Sequence, residues 1–136
     1  MDEQKIPWRQ DVEAAMVVFG GRWVVAVLAE LAVGPLHFTE LLHEINEVDR
    51  QFGRRAHDRP LSNVVLVRTL ERMQVDGLLV RHRDPSPHPS VRYELTAHGQ
   101  ALLAALRPLA KWGQAHRRWQ GQGGEPAAGA EVSAEP

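Results

Sequence analysis

The amino-acid sequence predicts an α+β fold that is mainly α, with one small β-wing. Apolar side chains recur at helical spacing in five segments of the chain, which indicates five helices. A proline-rich turn at 84–89 separates two short stretches that are typical of strands, which indicates one hairpin. The length of 136 residues suits one domain with a core of its own.

The first two helices are predicted at 11–19 and 22–32, with Gly20 and Gly21 as the break between them. The second helix is apolar nearly all round. Because a helix of that kind is usually buried, we expect it at the centre of the core, with Trp23 among the core side chains.

A short strand at 36–38 precedes a third helix at 39–45, for which Thr39 is a good N-cap residue. Residues 46–60 are polar and show no apolar period, so they are predicted to form an inserted loop. Ser62 is placed to cap the helix that follows this loop. These elements put a helix, a connection and a second helix in succession.

The fourth helix is predicted at 63–76, and strands at 78–83 and 91–95 follow it. Thr96 is predicted to cap a long last helix, in which Pro108 should cause a kink or a split. The resulting order is helix, helix, short strand, helix, helix, strand, strand, helix. It is the order of a winged helix-turn-helix, an arrangement that docks on DNA.

The winged domain is predicted to span 9–120, after an N-terminal arm at 1–8. The remaining residues, 121–136, are rich in Gly, Ala, Pro and Glu and lack bulky apolar side chains. A segment of that composition does not bury enough apolar surface to fold, so we expect a disordered tail.

The composition excludes several kinds of function. The chain has no cysteine, so disulfides, thiolate metal sites and cysteine nucleophiles are excluded. The seven histidines lack metal-binding spacing, and no nucleophile elbow or glycine-rich phosphate loop is present, so we expect neither a metal, another cofactor nor an enzymatic activity. There is no secretory signal and no apolar run long enough to cross a membrane, and a cytoplasmic location fits best.

Charge is distributed unevenly along the chain, although the net charge is only −1. Residues 1–49 hold three basic and nine acidic side chains. Residues 50–92 hold nine basic and four acidic side chains, a balance of nine minus four, or +5. The basic middle third coincides with the helix at 63–76, which is the recognition helix of the predicted winged helix-turn-helix, and with the hairpin at 78–95, which is its wing. This coincidence favours double-stranded DNA as a partner over chance clustering on a solvated face.

Four stretches of the sequence together form a specific pattern. They are GGRW at 20–23, GPLHFTELLHEI at 34–45, LSNVVLVRTLERMQVDGLLVR at 61–81 and VRYELTAHGQALL at 91–103. In their order and most of their spacings they resemble the HxlR-type family of winged helix-turn-helix transcriptional regulators. The resemblance implies a homodimer that binds operator DNA near promoters, usually to regulate a neighbouring gene.

Three features depart from the family pattern. Gln10 and Asp11 stand where many members carry Cys-Pro, so a thiol switch of that kind cannot operate. The connection between the third helix and the recognition helix is longer than usual. Val64 and Val67 stand on the outward face of the recognition helix, where polar side chains are typical.

The candidates for DNA contact lie on the helix-turn-helix and the wing. Arginine can bind guanine bidentately, asparagine can pair with adenine, valine can touch thymine methyl groups, and basic wing residues can bind phosphate. The candidates are Thr39, Ser62, Asn63, Val64, Val67, Arg68, Arg72, Arg81, Arg83, His88 and Arg92. Arg54, Arg55 and Arg59 either reach phosphate as well or belong to a mobile loop.

Large apolar side chains recur in the terminal helices, and a single winged domain has few faces left to bury them. They are Trp8, Val12, Met16, Leu102, Leu106, Leu109, Trp112 and Trp119. We expect them to form a dimer interface; a pocket for a small aromatic or apolar effector near that interface is the other interpretation.

The sequence therefore predicts a homodimeric transcriptional regulator, either repressor or activator, that binds a pseudo-palindromic operator. The signal that controls this regulator is not thiol oxidation, so the regulator either responds to a small molecule or has no ligand. The alternative is a winged-helix protein-protein interaction module, for which exposed Val64 and Val67 would be suited. A basic wing favours the regulator, because an interaction module has no need of one.

Overall fold

The computed structural model describes residues 7–53, 59–85 and 90–123. Within these ranges, helices and strands follow one another in the predicted order. The helices are α1 (Trp8–Phe19), α2 (Val24–Leu31), α3 (Phe38–Phe52), α4 (Asn63–Val75) and α5 (Ala97–Gly121). The strands are β1 (Leu36–His37), β2 (Leu79–Asp84) and β3 (Ser90–Leu95). A mainly helical fold with a small sheet confirms the predicted class.

The three strands form one antiparallel sheet in the order β1-β3-β2. Tyr93 of β3 lies between Leu36 of β1 and Arg81 of β2, which sets the register. Because side chains alternate between the two faces of a strand, Arg81 and Arg83 share one face of β2 while His82 and Asp84 share the other. The hairpin of β2 and β3 is the wing.

The core lies within residues 23–95 and centres on α2, as predicted. Trp23 is buried, and α2 adds four buried side chains on its inner face. The other buried apolar residues come from α3, α4, the sheet and the segments that join them. They are Leu41, Ile45, Leu61, Leu66, Leu70, Met73, Leu78, Leu79, Tyr93 and Leu95.

Thr96 caps α5 as predicted and fixes its first turn. Its hydroxyl oxygen accepts a hydrogen bond from the Gly99 N–H at 3.0 Å and donates one to the Gly77 carbonyl at 2.5 Å. A Cβ atom at Gly99 would lie 2.0 Å from the carbonyl oxygen of Leu78, so only glycine fits this close approach. The described residues from Ala104 onward form a separate unit.

The prediction of a loop at 46–60 was wrong for its first part, because α3 continues to Phe52. Local pairs help to stabilise the extension: Glu47 accepts hydrogen bonds from Arg50 at 3.2 Å and from Gln51 at 3.3 Å. The bond from Arg50 holds the pKa of Glu47 below its ordinary value. Such i,i+3 and i,i+4 pairs leave no apolar period in the sequence, which is why the pattern indicated a loop.

Other boundaries also differ from the predictions. The N-cap of α3 is His37, not Thr39, and its N–H donates to the Glu40 carboxylate at 2.9 Å, as in a capping box. Helix α1 begins at Trp8, inside the predicted arm. Of the two outcomes predicted at Pro108, a kink or a split, the split does not occur, because α5 is one helix from Ala97 to Gly121.

Residue 121 ends α5, so the predicted tail begins in helix, and 124–136 lie outside the described residues. Among the described residues, no single helix is long and apolar enough to cross a membrane; α1 and α2 meet that test only as a pair bent by 80°.

Candidate nucleic-acid interface

Helix α4 has a buried face that fixes its position and an outward face that is open. Leu66, Leu70 and Met73 are buried at helical spacing, as predicted. Ser62 is confirmed as the N-cap, since its hydroxyl oxygen accepts a hydrogen bond from the Val65 N–H at 3.2 Å. The helix is therefore held rigidly by its inner side.

The outward face of α4 presents different chemistries side by side. Asn63, Val64, Val67 and Arg68 are all exposed in its N-terminal half. Within the described residues, Arg68 has no ion pair, so its guanidinium is available to a ligand. Nearer the C-terminus, Arg72 lies 3.4 Å from the Asp76 carboxylate and is partly neutralised.

Two hydrogen bonds join α3 to the residue that precedes the cap of α4. Asn46 donates from Nδ2 to the Leu61 carbonyl at 3.0 Å and accepts at Oδ1 from the Leu61 N–H at 2.7 Å. Leu61 itself is buried. This clamp sets where the recognition helix starts, and its two partners are 15 residues apart, so no local pattern indicates it.

The two faces of the wing differ in charge. On one face, Arg81 and Arg83 are exposed and have no ion pair within the described residues. On the other face, His82 lies 2.9 Å from the Glu94 carboxylate, and Arg92 donates to the Asp84 carboxylate at 3.1 Å. The structure therefore separates Arg81 and Arg83 from Arg92, although the sequence presents all three as equivalent basic wing residues.

The Asp84 carboxylate stays ionised beside Arg92. Burial raises the pKa of Asp84, but hydrogen bonds from Arg92 and Ser90 lower it by more, so that its pKa is below the ordinary value. The Ser90 hydroxyl donates at 3.2 Å. Arg92 is consequently engaged in holding the two strands of the wing together.

A groove of about 570 Å³ brings the wing next to the recognition helix. Its lining residues are Val67, Leu70, Glu71, Gln74, Val75, Arg81 and Tyr93. Arg81 therefore flanks the outward face of α4 and lies at the same surface as Val67. If α4 lies in the major groove of a DNA duplex, a phosphate backbone of that duplex is close to Arg81.

A second cleft, of about 520 Å³, lies at the N-terminus of α4. Arg22, Arg59, Ser62 and Val65 are among its lining residues. Helix N-termini favour anions, and two arginines add positive charge there. Sequence reasoning missed Arg22, because it stands 40 residues before Ser62 and only the fold brings the two together.

The chain matches the HxlR-like helix-turn-helix family over residues 18–120. That range contains α2 to α4, the complete sheet and most of α5. The chain belongs to the HxlR-like helix-turn-helix family.

Relatives of the HxlR-like protein agree with this assignment. It is 31% identical over 116 residues to an uncharacterized HTH-type transcriptional regulator of Methanothermobacter thermautotrophicus, with 85% of this chain and 79% of the relative covered. The crystal structure of a MarR-family transcriptional regulator from Enterococcus faecalis is similar, with a TM-score of 0.67 and 27% identity, covering 87% of this chain and 96% of that one.

The reduced form of the regulator YodB from Bacillus subtilis shares the fold, with a TM-score of 0.61 and 24% identity over 79% of this chain and 90% of that one. The family match and the named relatives identify the HxlR-like protein as a DNA-binding transcriptional regulator of the winged helix-turn-helix type. Which residues contact DNA remains a prediction.

One candidate residue, Thr39, is not brought to the surface formed by α4 and the wing. Thr39 is exposed and borders a different cavity, whose lining includes Glu30, Glu40 and Glu44. Three carboxylates next to Thr39 are a poor setting for a phosphate contact. His88 lies outside the described residues, as do Arg54 and Arg55.

Helices α1 and α5 of the HxlR-like protein carry apolar side chains that remain open. Trp8, Val12 and Met16 are exposed on α1, which has no buried residue. On α5, Leu102 and Leu106 are half-buried, whereas Leu109, Trp112 and Trp119 are exposed. His116 stacks between Trp112 and Trp119, with ring centroids 4.9 Å and 5.5 Å away.

The described residues hold no group of three or more His, Asp or Glu side chains arranged to bind a metal ion. Burial raises the pKa of Glu30, and the nearby Glu44 carboxylate raises it further. Glu30 borders two cavities that are lined by residues of α2 and α3.

Proposed function

We propose that the HxlR-like protein binds a specific operator as a homodimer and thereby regulates transcription of a nearby gene. The observation that carries this proposal is that α4 exposes Asn63 and Arg68 while Val67 of the same helix lines a groove with Arg81 of the adjoining wing. Side chains of these types bind base edges and phosphates, respectively. As an operator-binding protein it would act in the cytoplasm beside the chromosome, and we assign it no enzymatic activity.

A dimer is supported by the open apolar faces of α1 and α5. Burying one large apolar side chain contributes roughly 1.5–3 kcal/mol, so a handful of such residues from each subunit is sufficient for stable association. Two-fold symmetry would place the recognition helices about 34 Å apart, one turn of DNA, and would make the operator pseudo-palindromic. The interface residues we propose are those retained from the sequence prediction, led by Trp8, Met16, Leu106 and Trp112.

Regulation of this dimer cannot use cysteine chemistry, because the 136 residues contain no cysteine. YodB is known in reduced, diamide-treated and quinone-bound forms, and any regulation of that kind that depends on a thiol is excluded for this chain. A small aromatic or apolar effector that inserts among the exposed tryptophans of the terminal helices would change the separation of the recognition helices.

The open valines of α4 favour one other function, a winged-helix module that binds a protein partner. Val64 and Val67 would then be contact residues for that partner. The two functions differ in their dependence on salt and on DNA sequence. A module of this kind would not need exposed Arg81 and Arg83.

The test begins with selection of duplexes from a random pool by the full-length protein, followed by measurement of Kd at several salt concentrations. Log affinity should fall linearly with log salt, by about 0.9 per phosphate neutralised. Replacing both Arg81 and Arg83 by alanine removes four phosphate contacts from the dimer, so it should reduce the slope by about 3.6 without changing the selected sequence. The control is Arg92→Ala, for which we expect a smaller change, because Asp84 already pairs with this arginine.

Base reading is tested separately by Arg68→Ala. This variant should lose about 1–3 kcal/mol of binding free energy on the selected site and much less on random DNA. Equal losses on both would assign Arg68 to phosphate. If no sequence is enriched and Arg68→Ala binds DNA like the wild type, the operator proposal is wrong and the protein-partner function takes its place.

A further inference from the structure

The recognition helix exposes two valines where it would enter the major groove. Val64 is 60% exposed and Val67 is 45% exposed, and both lie in the first two turns of α4. They are three residues apart, so both side chains open on the same side of the helix. Buried Leu66 and Leu70 already satisfy the inner face, so the valines are not needed for folding.

The two valines adjoin the polar residues to which we assign base reading. Asn63 precedes Val64, and Arg68 follows Val67. Val67 also lines the groove that α4 forms with Arg81 of the wing. An apolar pair is therefore continuous with the basic surface, and a ligand of the recognition helix has to cover it.

The major groove offers one apolar group that matches such a pair, the C5-methyl of thymine. The other base-edge groups there are hydrogen-bond donors and acceptors, and burying them against valine without a partner is unfavourable. Valine thus selects for thymine in two ways: it gains a methyl contact, and it opposes bases whose polar edges it would leave unpaired.

The spacing of the valines indicates how the thymines are arranged. Because a helix rises about 1.5 Å per residue, Val64 and Val67 are separated by about 4.5 Å along the axis of α4. Successive bases of one strand are about 3.4 Å apart, so the separation of the two valines is nearer to one base-pair step than to two. Neighbouring base pairs are therefore the natural targets of Val64 and Val67.

We propose that Val64 and Val67 determine operator specificity by contacting the methyl groups of thymines in two adjacent base pairs of each half-site. This inference rests on the proposed operator-binding function and adds to it the chemical feature that the operator must present. Because the contact is to the methyl group itself, the protein distinguishes thymine from uracil, whose hydrogen-bonding groups are identical.

The experiment uses the full-length protein and the duplex that it selects from a random pool. Each thymine of one half-site is replaced in turn by deoxyuridine, which removes only the methyl group, and Kd is measured at one salt concentration. Loss of one buried methyl should weaken binding about fourfold. We expect this loss at two adjacent base pairs, and no loss at thymines elsewhere in the half-site.

Variants then assign the effect to the valines. The double variant with Val64→Ala and Val67→Ala should bind the thymine duplex more weakly and should no longer respond to deoxyuridine at those two positions. The matched control is Val33→Ala, an exposed valine that follows α2 and borders the separate cavity beside Glu30 and Glu44; this variant should keep both the affinity and the response. Arg68→Ala should bind more weakly and yet keep the response to deoxyuridine.

Failure of this inference is distinguishable from failure of the proposed function. If the pool yields no preferred sequence, operator binding itself is wrong, and the inference falls with it. If a sequence is selected but no deoxyuridine position weakens binding, the methyl contact is refuted while operator binding stands. The deoxyuridine scan uses the unmodified protein, so this result does not depend on how well any variant folds.

Discussion

Helices α2 and α5 carry similar apolar stripes and use them in opposite ways. Helix α2 has 8 residues, of which four are buried, whereas α5 has 25 residues and only Gly99 is buried. Val27 and Leu28 of α2 are completely inaccessible, while Trp112 of α5 is 64% exposed. A stripe at helical spacing therefore predicts that a face has an apolar partner, but not whether the same chain supplies it.

The largest expected effect is in the core, where the chain supplies its own partner. Leu28→Ala should lower the free energy of unfolding by about 2–5 kcal/mol, because it leaves a cavity in the centre of the fold. Val25→Ala, on the half-exposed side of the same helix, should cost much less. Urea denaturation measures both, and similar losses for the two variants would mean that α2 does not occupy the core.

The second effect is expected on α5, where we propose that another subunit supplies the partner. Leu106→Asp should give monomers and a loss of operator affinity, because the new carboxylate would be buried in the interface. Ala104→Asp puts the same charge on the opposite side of the helix and should leave the dimer intact. Light scattering at micromolar concentration decides, and a persistent Leu106→Asp dimer would place the interface elsewhere.

The fold was predictable because its signals are local. The stripe of Leu66, Leu70 and Met73 indicated α4, and the hydroxyl residues Ser62 and Thr96 marked the starts of two helices correctly. Each of these signals lies within a few residues of the structure that it specifies. Periodicity and capping are therefore sufficient to give the order of the elements.

The site was less predictable because its signals are not local. Arg81 and Arg92 look alike in the sequence, and only the strand register shows that Asp84 engages the second of them. Arg22 joins the recognition helix through the fold, and Asn46 stood inside a predicted loop. Charge partners and cleft linings depend on contacts between distant residues, which a single sequence does not reveal.

A smaller effect is expected at the clamp between α3 and α4. Asn46→Ala leaves both backbone groups of Leu61 without their partner, which should lower the free energy of unfolding by about 1–3 kcal/mol. Operator affinity should fall further, because the start of the recognition helix is no longer fixed. Gln51→Ala, which removes an exposed hydrogen bond on the same helix, should stay within about 0.5 kcal/mol of wild type in urea denaturation.

The smallest effect is expected in the wing, where a polar pair rather than an apolar stripe joins two elements. The fold lowers the pKa of Asp84, so the contribution of its pair with Arg92 to stability is complete above the unfolded-state pKa of about 4 and is lost as the pH falls through the folded-state pKa. Arg92→Gln should raise the pKa of Asp84, since burial then acts with less opposition. Ser90→Ala should raise it less, because the hydrogen bond from Ser90 is the weaker cause. Carboxyl titration by NMR measures all three proteins, and an Asp84 midpoint that does not move in Arg92→Gln would show that Arg92 is free to bind phosphate after all.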